Sequence, residues 1–345
     1  MINHSKPTIE TDDFHVVRDQ LNSNMLSKGL KTKELENRLK SFLNVGFAET
    51  TSSGKSALIL GLLSLDLSKD DEIIIPAYVC RTVYDAIRFL RLKPVIVDIG
   101  DDYNIDPIEV EKHLTHRTKA VIVVHIFGIS AEIDKIFSIV KKYDNNIVVI
   151  EDIAQAIGGK YKNKKLGSWG DLAFGSFHTT KMLAGGEGGF LLINNLKLIH
   201  KFEEKKNEIN FGSNFSDFSA SLAINQLKKL NKFIEIRKNL AQRYIHQLKN
   251  LEQVYIPFTD FKLNIFFRFP VRITKAFDFD SLKIKMEEQG IQIRKGVDLM
   301  LHQIDTKFYC PRADQLFNQT VSLPIYPSLT DEDLNLITFS LKECL

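Results

Sequence analysis

The sequence predicts an α/β fold. A large domain carries a mostly parallel, mixed sheet flanked by helices, and a smaller α+β domain follows at the C-terminal end. Three observations predict it. Short apolar runs rich in Val and Ile alternate with helical segments between residues 71 and 152. Those runs are continuous, as in strands buried on both faces. After residue 250 the alternation stops, and one strand is followed by helices.

The elements follow in order. LKTKELENRLKSFL (30–43) sets Leu30, Leu35, Leu39 and Leu43 on one stripe, which predicts a surface helix. TTSSGKSALILGLLSL reads as a Ser/Gly turn feeding a buried helix. DEIIIPAY (71–78) is a strand stopped by Pro76, and VYDAIRFLRL (83–92) is helical. PVIVDI (94–99) is a strand. IDPIEVEKHL (105–114) is a helix with Pro107 in its first turn, where its missing amide is tolerated. KAVIVVHIFG (119–128) and NIVVIED (146–152) are strands around the helix EIDKIFSIVKKY (132–143). LAFGSF (172–177) and GGFLLIN (188–194) form a hairpin or a mixed sheet edge. Residues 217–250 are helical with one expected break. FFRFPVRI (266–273) is a strand, and 279–289 and 331–344 are helices. The division expected is 1–235 for the large domain, including an N-terminal helical segment, and 236–345 for the small one.

With 345 residues the chain is long enough to bury a core without staples. Its 46 basic and 43 acidic residues leave a net charge of +3, with no clustered basic face to suggest nucleic acid. Three scattered cysteines, Cys80, Cys310 and Cys344, exclude a disulfide framework and a Cys-x-x-Cys metal site. No apolar run reaches membrane-spanning length, and no leader-like segment is visible at the start. A cytoplasmic protein with no metal and no membrane partner is expected.

Three segments carry chemistry. Gly54-Lys55-Ser56 lacks the upstream glycine of a phosphate-binding P-loop, because position 49 is Glu49. It still opens a helix, and helix N-termini bind phosphate. NIVVIEDIAQAIGG (146–159) ends a strand in Glu151-Asp152, at the sheet edge where α/β proteins bind ligands. LAFGSFHTTKMLAGGEGG (172–189) sets Lys181 in a glycine-rich loop beside Ser176 and His178. A lysine, a strand-end acid and a helix-start anion site together match the needs of pyridoxal 5′-phosphate (PLP): a Schiff-base amine, a partner for the pyridinium nitrogen and a phosphate cradle. His125 and Trp169 read as packing residues. Tyr326 and His302 are candidates for a substrate entrance.

The chain also resembles the DegT/StrS family of PLP-dependent sugar aminotransferases, of the aspartate aminotransferase fold. SSGKSAL (52–58), DEIIIPAY (71–78), PVIVDIGDDYNIDP (94–107), RTKAVIVVHIFG (117–128), IEDIAQAIGGKYKNKKLGSWGD (150–171), FGSFHTTKMLAGGEGG (174–189), GSN (212–214) and SLPIYPSLT (322–330) carry the resemblance. It implies that Lys181 is the Schiff-base lysine and Asp152 the acid on the ring nitrogen. It implies that Gln155 contacts the ring's 3′-oxygen. Ser176 and Gly54, Lys55 and Ser56 would hold the phosphate, and Asn214 would reach it across a homodimer interface. His178 and Cys80 would lie beside the cofactor.

The departures from the family are specific. Lys55 stands where a threonine is usual, and Cys80 where an aromatic stacks on the ring, with Tyr78 a candidate replacement. Gly212-Ser213-Asn214-Phe215-Ser216 lacks the usual arginine. The function implied is transfer of an amino group from glutamate to a nucleotide-linked keto-sugar through pyridoxamine 5′-phosphate. Amino-sugar and polysaccharide biosynthesis is the expected setting. The alternatives are a sugar dehydratase using the same cofactor, whose family members carry histidine at the lysine position, and a non-catalytic PLP-binding regulator.

Overall fold

The computed structural model describes residues 1–206, 214–257 and 260–345. In chain order it contains α1 (Thr11–Asn22), α2 (Leu30–Leu43), β1 (Phe47–Thr51), α3 (Gly54–Leu63), β2 (Glu72–Pro76), α4 (Arg81–Phe89), β3 (Lys93–Val97), α5 (Pro107–His113), β4 (Thr118–Val124), α6 (Ile133–Tyr143) and β5 (Val148–Asp152). A short ribbon, β6 (Lys160–Tyr161) and β7 (Lys164–Lys165), precedes β8 (Leu172–Ser176), β9 (Gly189–Ile193) and α7 (Leu196–Lys206). Then come α8 (Asp217–Leu248), β10 (Val254–Tyr255), β11 (Phe269–Ile273), α9 (Phe279–Glu288), α10 (Leu301–Ile304), α11 (Pro311–Gln319), β12 (Thr320–Leu323) and α12 (Asp331–Cys344).

Seven strands make one sheet in the order β1-β9-β8-β5-β4-β2-β3. The pairs from β8 through to β3 are parallel, while β9 runs antiparallel to both β8 and β1. The expected alternatives for 172–194 therefore resolve as an antiparallel pair inside a mixed sheet. Ile73, Ile74 and Ile75 of β2 and Val121, Ile122 and Val123 of β4 are fully enclosed. Helices covering both faces explain why these strands read as continuous apolar runs. α5 starts as its sequence dictates: Asp106 accepts the Ile108 amide at 2.8 Å, with Pro107 at the first helical position.

Three expectations change. β1 (Phe47–Thr51) is a strand that the expected elements lack, because FAETT hides its polarity by pairing. The Glu36 carboxylate accepts both the Thr50 amide (3.1 Å) and the Thr50 hydroxyl (2.9 Å). In α2, Leu35, Leu39 and Leu43 are buried, but Leu30, at the helix start, is 80% exposed and off the stripe. α8 is one unbroken helix of 32 residues, about 48 Å long at 1.5 Å per residue. Ser216 caps it by accepting the Ser219 amide at 3.1 Å.

α8 links two cores. Ile224, Leu227, Leu230 and Ile234 pack with one face of the large sheet, while Leu240, Ala241, Tyr244 and Leu248 pack with β11, β12, α9 and α12. β10, β11 and β12 form a separate antiparallel sheet. The first residues of the chain join that second core. The Ile2 amide donates to Gly290 O at 2.7 Å, and His4 Nε2 lies 2.9 Å from Ser322 Oγ. Among the described residues no helix is long and apolar enough to cross a membrane.

Candidate active site

The parallel strands β5, β4, β2 and β8 all end at the same edge of the sheet, and a cavity of about 440 Å³ opens there. It lies outside the carboxyl ends of the strands, the position α/β sheets give to ligands. Gly54, Lys55, Cys80, Asp152, Gln155, Ser176, His178 and Lys181 all line it. A larger groove of about 880 Å³, between α2 and α8, contains none of them.

Asp152 and Glu151 are consecutive on β5 and face opposite ways, as strand geometry requires. Glu151 is fully buried. It accepts the amides of Gly167 (2.8 Å), Trp169 (2.7 Å) and Gly170 (2.8 Å). His125 completes this cluster. The Ala131 amide donates to its Nδ1 at 3.0 Å, so the ring proton sits on Nε2, 3.1 Å from Glu151. His125 is thus the satisfied core histidine the sequence suggests. Glu151 anchors the 167–170 turn and leaves the cavity to Asp152.

Asp152 accepts the Ala154 amide at 2.9 Å and is 8% exposed. Burial pushes its carboxyl above the usual carboxylate range, against the pull of the Ala154 amide, Lys181 and His125. A cation placed against it would reverse that shift. Lys181 follows β8 in a tight turn, its amide donating to His178 O at 2.8 Å. Burial lowers its ammonium below the ordinary lysine range. Asp152 opposes the shift, and the Arg268 guanidinium adds to it.

Gln155 has its acceptor end occupied. The Phe127 amide donates to Oε1 at 2.8 Å, in a turn where Phe127 has a positive φ of 59°. The NH2 end remains as a donor toward the cavity. At the end of β8, Ser176 Oγ accepts the His178 amide at 3.2 Å. Ser53 caps α3 by accepting the Ser56 amide at 3.0 Å, and the Ser56 hydroxyl lies 2.9 Å from both Ser52 Oγ and Ser53 Oγ, so Ser56 stands behind the cavity lining rather than in it. The amides of Gly54 and Lys55, first in the helix, have no intrahelical acceptor. This helix start lies close over β9: a Cβ on Gly189 would meet the Gly54 nitrogen at 2.4 Å. Glycine at 189 is what brings the helix amides to the end of β8.

Other predicted residues fall differently. His178 lines the cavity, but its Nδ1 bonds Thr180 Oγ1 at 2.9 Å and its Nε2 lies 3.7 Å from Glu187. Cys80 is exposed at the start of α4, with its thiol 3.2 Å from Thr82 Oγ1. Tyr78 does not replace the missing stacking aromatic: it is fully buried, packed edge-on against Tyr103 and Phe127. Trp169 packs against Tyr161. Tyr326 belongs to the second core, and His302 pairs with Asp314 at 3.0 Å; neither lines the cavity. Asn214 is exposed before α8, outside the cavity lining, and Gly212 and Ser213 lie outside the described residues. Two further residues near the site, Arg268 and Asp298, are not among those the sequence predicts. Asp298 lines the cavity, and Arg268 acts on Lys181. An arginine interrupting the aromatic run FFRF was the available signal.

The donor set fits PLP: an amine with a lowered pKa, a buried acid short of a cation, an amide NH2 with its acceptor end occupied, and helix-start amides beside a serine hydroxyl.

The comparisons agree. A family model described as DegT/DnrJ/EryC1/StrS aminotransferase matches residues 7–342. The GDP-perosamine synthase of Escherichia coli O157:H7 is 27% identical, over 98% of this chain and 97% of its own. Two solved structures share the fold. PseC of Helicobacter pylori, an aminotransferase involved in pseudoaminic acid biosynthesis, has a TM-score of 0.92 at 23% identity, covering 99% of this chain and 98% of its own. The E. coli GDP-4-keto-6-deoxy-D-mannose-3-dehydratase, solved with bound hydrated PLP, has a TM-score of 0.89 at 21% identity, covering 99% of each chain. The protein belongs to the DegT/DnrJ/EryC1/StrS aminotransferase family, whose cofactor is pyridoxal 5′-phosphate.

Proposed function

We propose that this protein is a PLP-dependent aminotransferase that moves an amino group from glutamate to a keto-sugar carried on a nucleoside diphosphate. The observation that carries the reading is a desolvated lysine, Lys181, opening onto the same cavity as the buried acid Asp152. Bound PLP supplies a carbonyl carbon that accepts the amino group and a ring that delocalises the electrons of the broken Cα–H bond.

The chain's own residues divide the remaining work. Lys181 holds the cofactor. Its lowered pKa keeps more of the amine neutral, so that Nζ can attack and later carry the Cα proton. Asp152 would pair with the ring nitrogen and keep it protonated. That pairing also relieves the desolvation of its own carboxylate. The Gln155 NH2 would donate to the 3′-oxygen. The amides of Gly54 and Lys55, with the hydroxyl of Ser176, would take the phosphate, and Ser56 would give its hydroxyl only by exchanging its bonds to Ser52 and Ser53. The Lys55 ammonium adds charge where the family's usual threonine adds a hydroxyl. Asn214 would reach the phosphate in the partner subunit's site of a homodimer.

The same fold also carries a dehydratase among the comparisons, so product chemistry decides between the two reactions. The experiment incubates the pyridoxamine-phosphate-loaded protein with a panel of nucleoside-diphosphate keto-sugars and reads the products by mass. An aminated sugar, with PLP regenerated, is the expected result. A deoxygenated sugar that has gained no nitrogen would overturn the reading.

A further inference from the structure

Among the described residues, Lys181 Nζ makes no hydrogen bond and no ion pair; what it meets is a ring. It stands over Phe267, 5.2 Å from the centroid, within reach of a cation–π contact. The charged and titratable groups that face it are Asp152 at the end of β5, Arg268 before β11 and Cys80 at the start of α4. Asp152 and Cys80 favour its ammonium without touching it, and Arg268 opposes it.

The ring is held in place from two sides. Arg237 of α8, itself buried, donates through Nη1 to the carbonyls of Phe266 (3.2 Å), Phe267 (3.1 Å) and Ile325 (2.7 Å). From the other side, the turn after β4 takes both flanking amides. Ile265 N donates to Gly128 O at 3.1 Å, and Arg268 N to Phe127 O at 3.3 Å. Phe267 is 5% exposed and belongs to the core that packs on the large sheet. The same turn holds Gln155, so the ring and the Gln155 side chain share one scaffold. The ring is thus a fixed surface, and the flexible lysine stem that reaches it is the movable part.

In the aminotransferase reading, Lys181 lets go of the cofactor when the donor's amine displaces it, then takes the Cα proton. The C–H bond breaks, its electron pair passes to the cofactor ring, and an N–H bond forms at Nζ. The result is an ammonium in a desolvated site, while Asp152 is engaged with the ring nitrogen. We propose that the face of Phe267 is the resting place of the Lys181 ammonium whenever the lysine is free of the cofactor, which makes Phe267 a positioning residue for the proton transfer. The proposal rests on the aminotransferase reading above. An aromatic face is negative but accepts no proton. It therefore stabilises the charge without competing for the proton, as a carboxylate in the same place would.

The test reads the charge of Lys181 in the apo-protein, from the pH dependence of the rate at which it captures PLP, followed by absorbance. The cofactor's own ionisations are common to all variants and cancel in the comparison. Phe267→Leu keeps an apolar wall but removes the aromatic face, and should move the midpoint down by about 0.5–1 pH unit. Replacing Phe267 by a ring-trifluorinated phenylalanine keeps the shape, drains the face of negative charge and should move the midpoint the same way. Phe267→Tyr keeps the face and should leave the midpoint in place. A merely structural role gives the opposite sign, because a loosened pocket admits water and the midpoint rises toward that of free lysine. An unmoved or raised midpoint in the fluorinated variant overturns the proposal while the functional reading stands. A wild-type protein that shows no lysine-bound PLP band overturns both.

Discussion

Gln155 Oε1 accepts the Phe127 amide at 2.8 Å, and this one bond fixes which end of the Gln155 side chain meets the cavity. The acceptor is used by the backbone, so only the donor end is left for a ligand. An enzyme that must hold the 3′-oxygen of a pyridine ring needs a donor there. The bond comes from β4 and the turn after it, and Gln155 from the turn after β5, so sheet topology sets the hydrogen-bond polarity of the site.

Gln155→Leu should therefore weaken PLP binding roughly tenfold, about 1–2 kcal/mol for one lost hydrogen bond to the ligand. It also strands the Phe127 amide. Gln155→Glu keeps an acceptor for that amide but turns the other oxygen on the ring, so it should bind PLP no better than the leucine variant. Fluorescence titration with PLP measures both. An unchanged affinity in Gln155→Leu would remove Gln155 from the cofactor site.

Lys55 gives a second prediction. It lies half-buried at the start of α3, in the cavity lining. Removing its charge as Lys55→Ala should raise the PLP dissociation constant by roughly fivefold, and more at low than at high salt, as expected of a partly screened phosphate contact. Lys55→Thr, which brings in the family's hydroxyl, should recover part of the loss. A salt-independent effect would argue against a direct charge contact.

The buried cluster behind the site governs stability rather than chemistry. Glu151 holds three backbone amides and the His125 ring. Glu151→Ala strands all four donors in the core and should destabilise the fold by about 3–5 kcal/mol. Chemical denaturation followed by circular dichroism checks this. A loss below about 1 kcal/mol, the typical effect of an unremarkable substitution, would contradict the assignment.

Much of this site was legible in the sequence. Lys181, Asp152 and Ser176 sit at strand ends or in the turns after them, where local pattern and strand order place them together, while Gln155 came only with the family resemblance. The helix start at Gly54-Lys55-Ser56 was legible for the same reason. What pattern could not supply was long-range partnership. β1 was hidden because Thr50 satisfies its polar groups through Glu36, 14 residues earlier. The first residues were read as part of the large domain, yet Ile2 pairs with residues near 290. Arg268 looked like one charge within a strand. Only the packed structure sets it on Phe267 beside Lys181. Tyr78 failed as a stacking substitute because its neighbours Tyr103 and Phe127 enclose it.

The pKa of Lys181 can be read directly. Burial and Arg268 both favour the neutral amine, so its protonation midpoint should lie below that of a free lysine. The rate at which the apo-protein captures PLP should rise with pH through that midpoint. Arg268→Gln removes a repelling charge and should move the midpoint upward. A midpoint at the free-lysine value, or one that Arg268→Gln moves downward, would contradict the electrostatic description of the site.

The central claim is that Lys181 carries the cofactor and the proton of an amino-transfer reaction. The most direct measurement is the visible spectrum of the protein mixed with PLP, before and after addition of glutamate, in wild type and in Lys181→Ala. The account predicts a band of lysine-bound PLP in the wild type that gives way to the pyridoxamine phosphate spectrum with glutamate. It predicts neither change in Lys181→Ala, which should still bind PLP non-covalently. A wild-type band unaltered by glutamate or any other amino acid, or full conversion in Lys181→Ala, would contradict it.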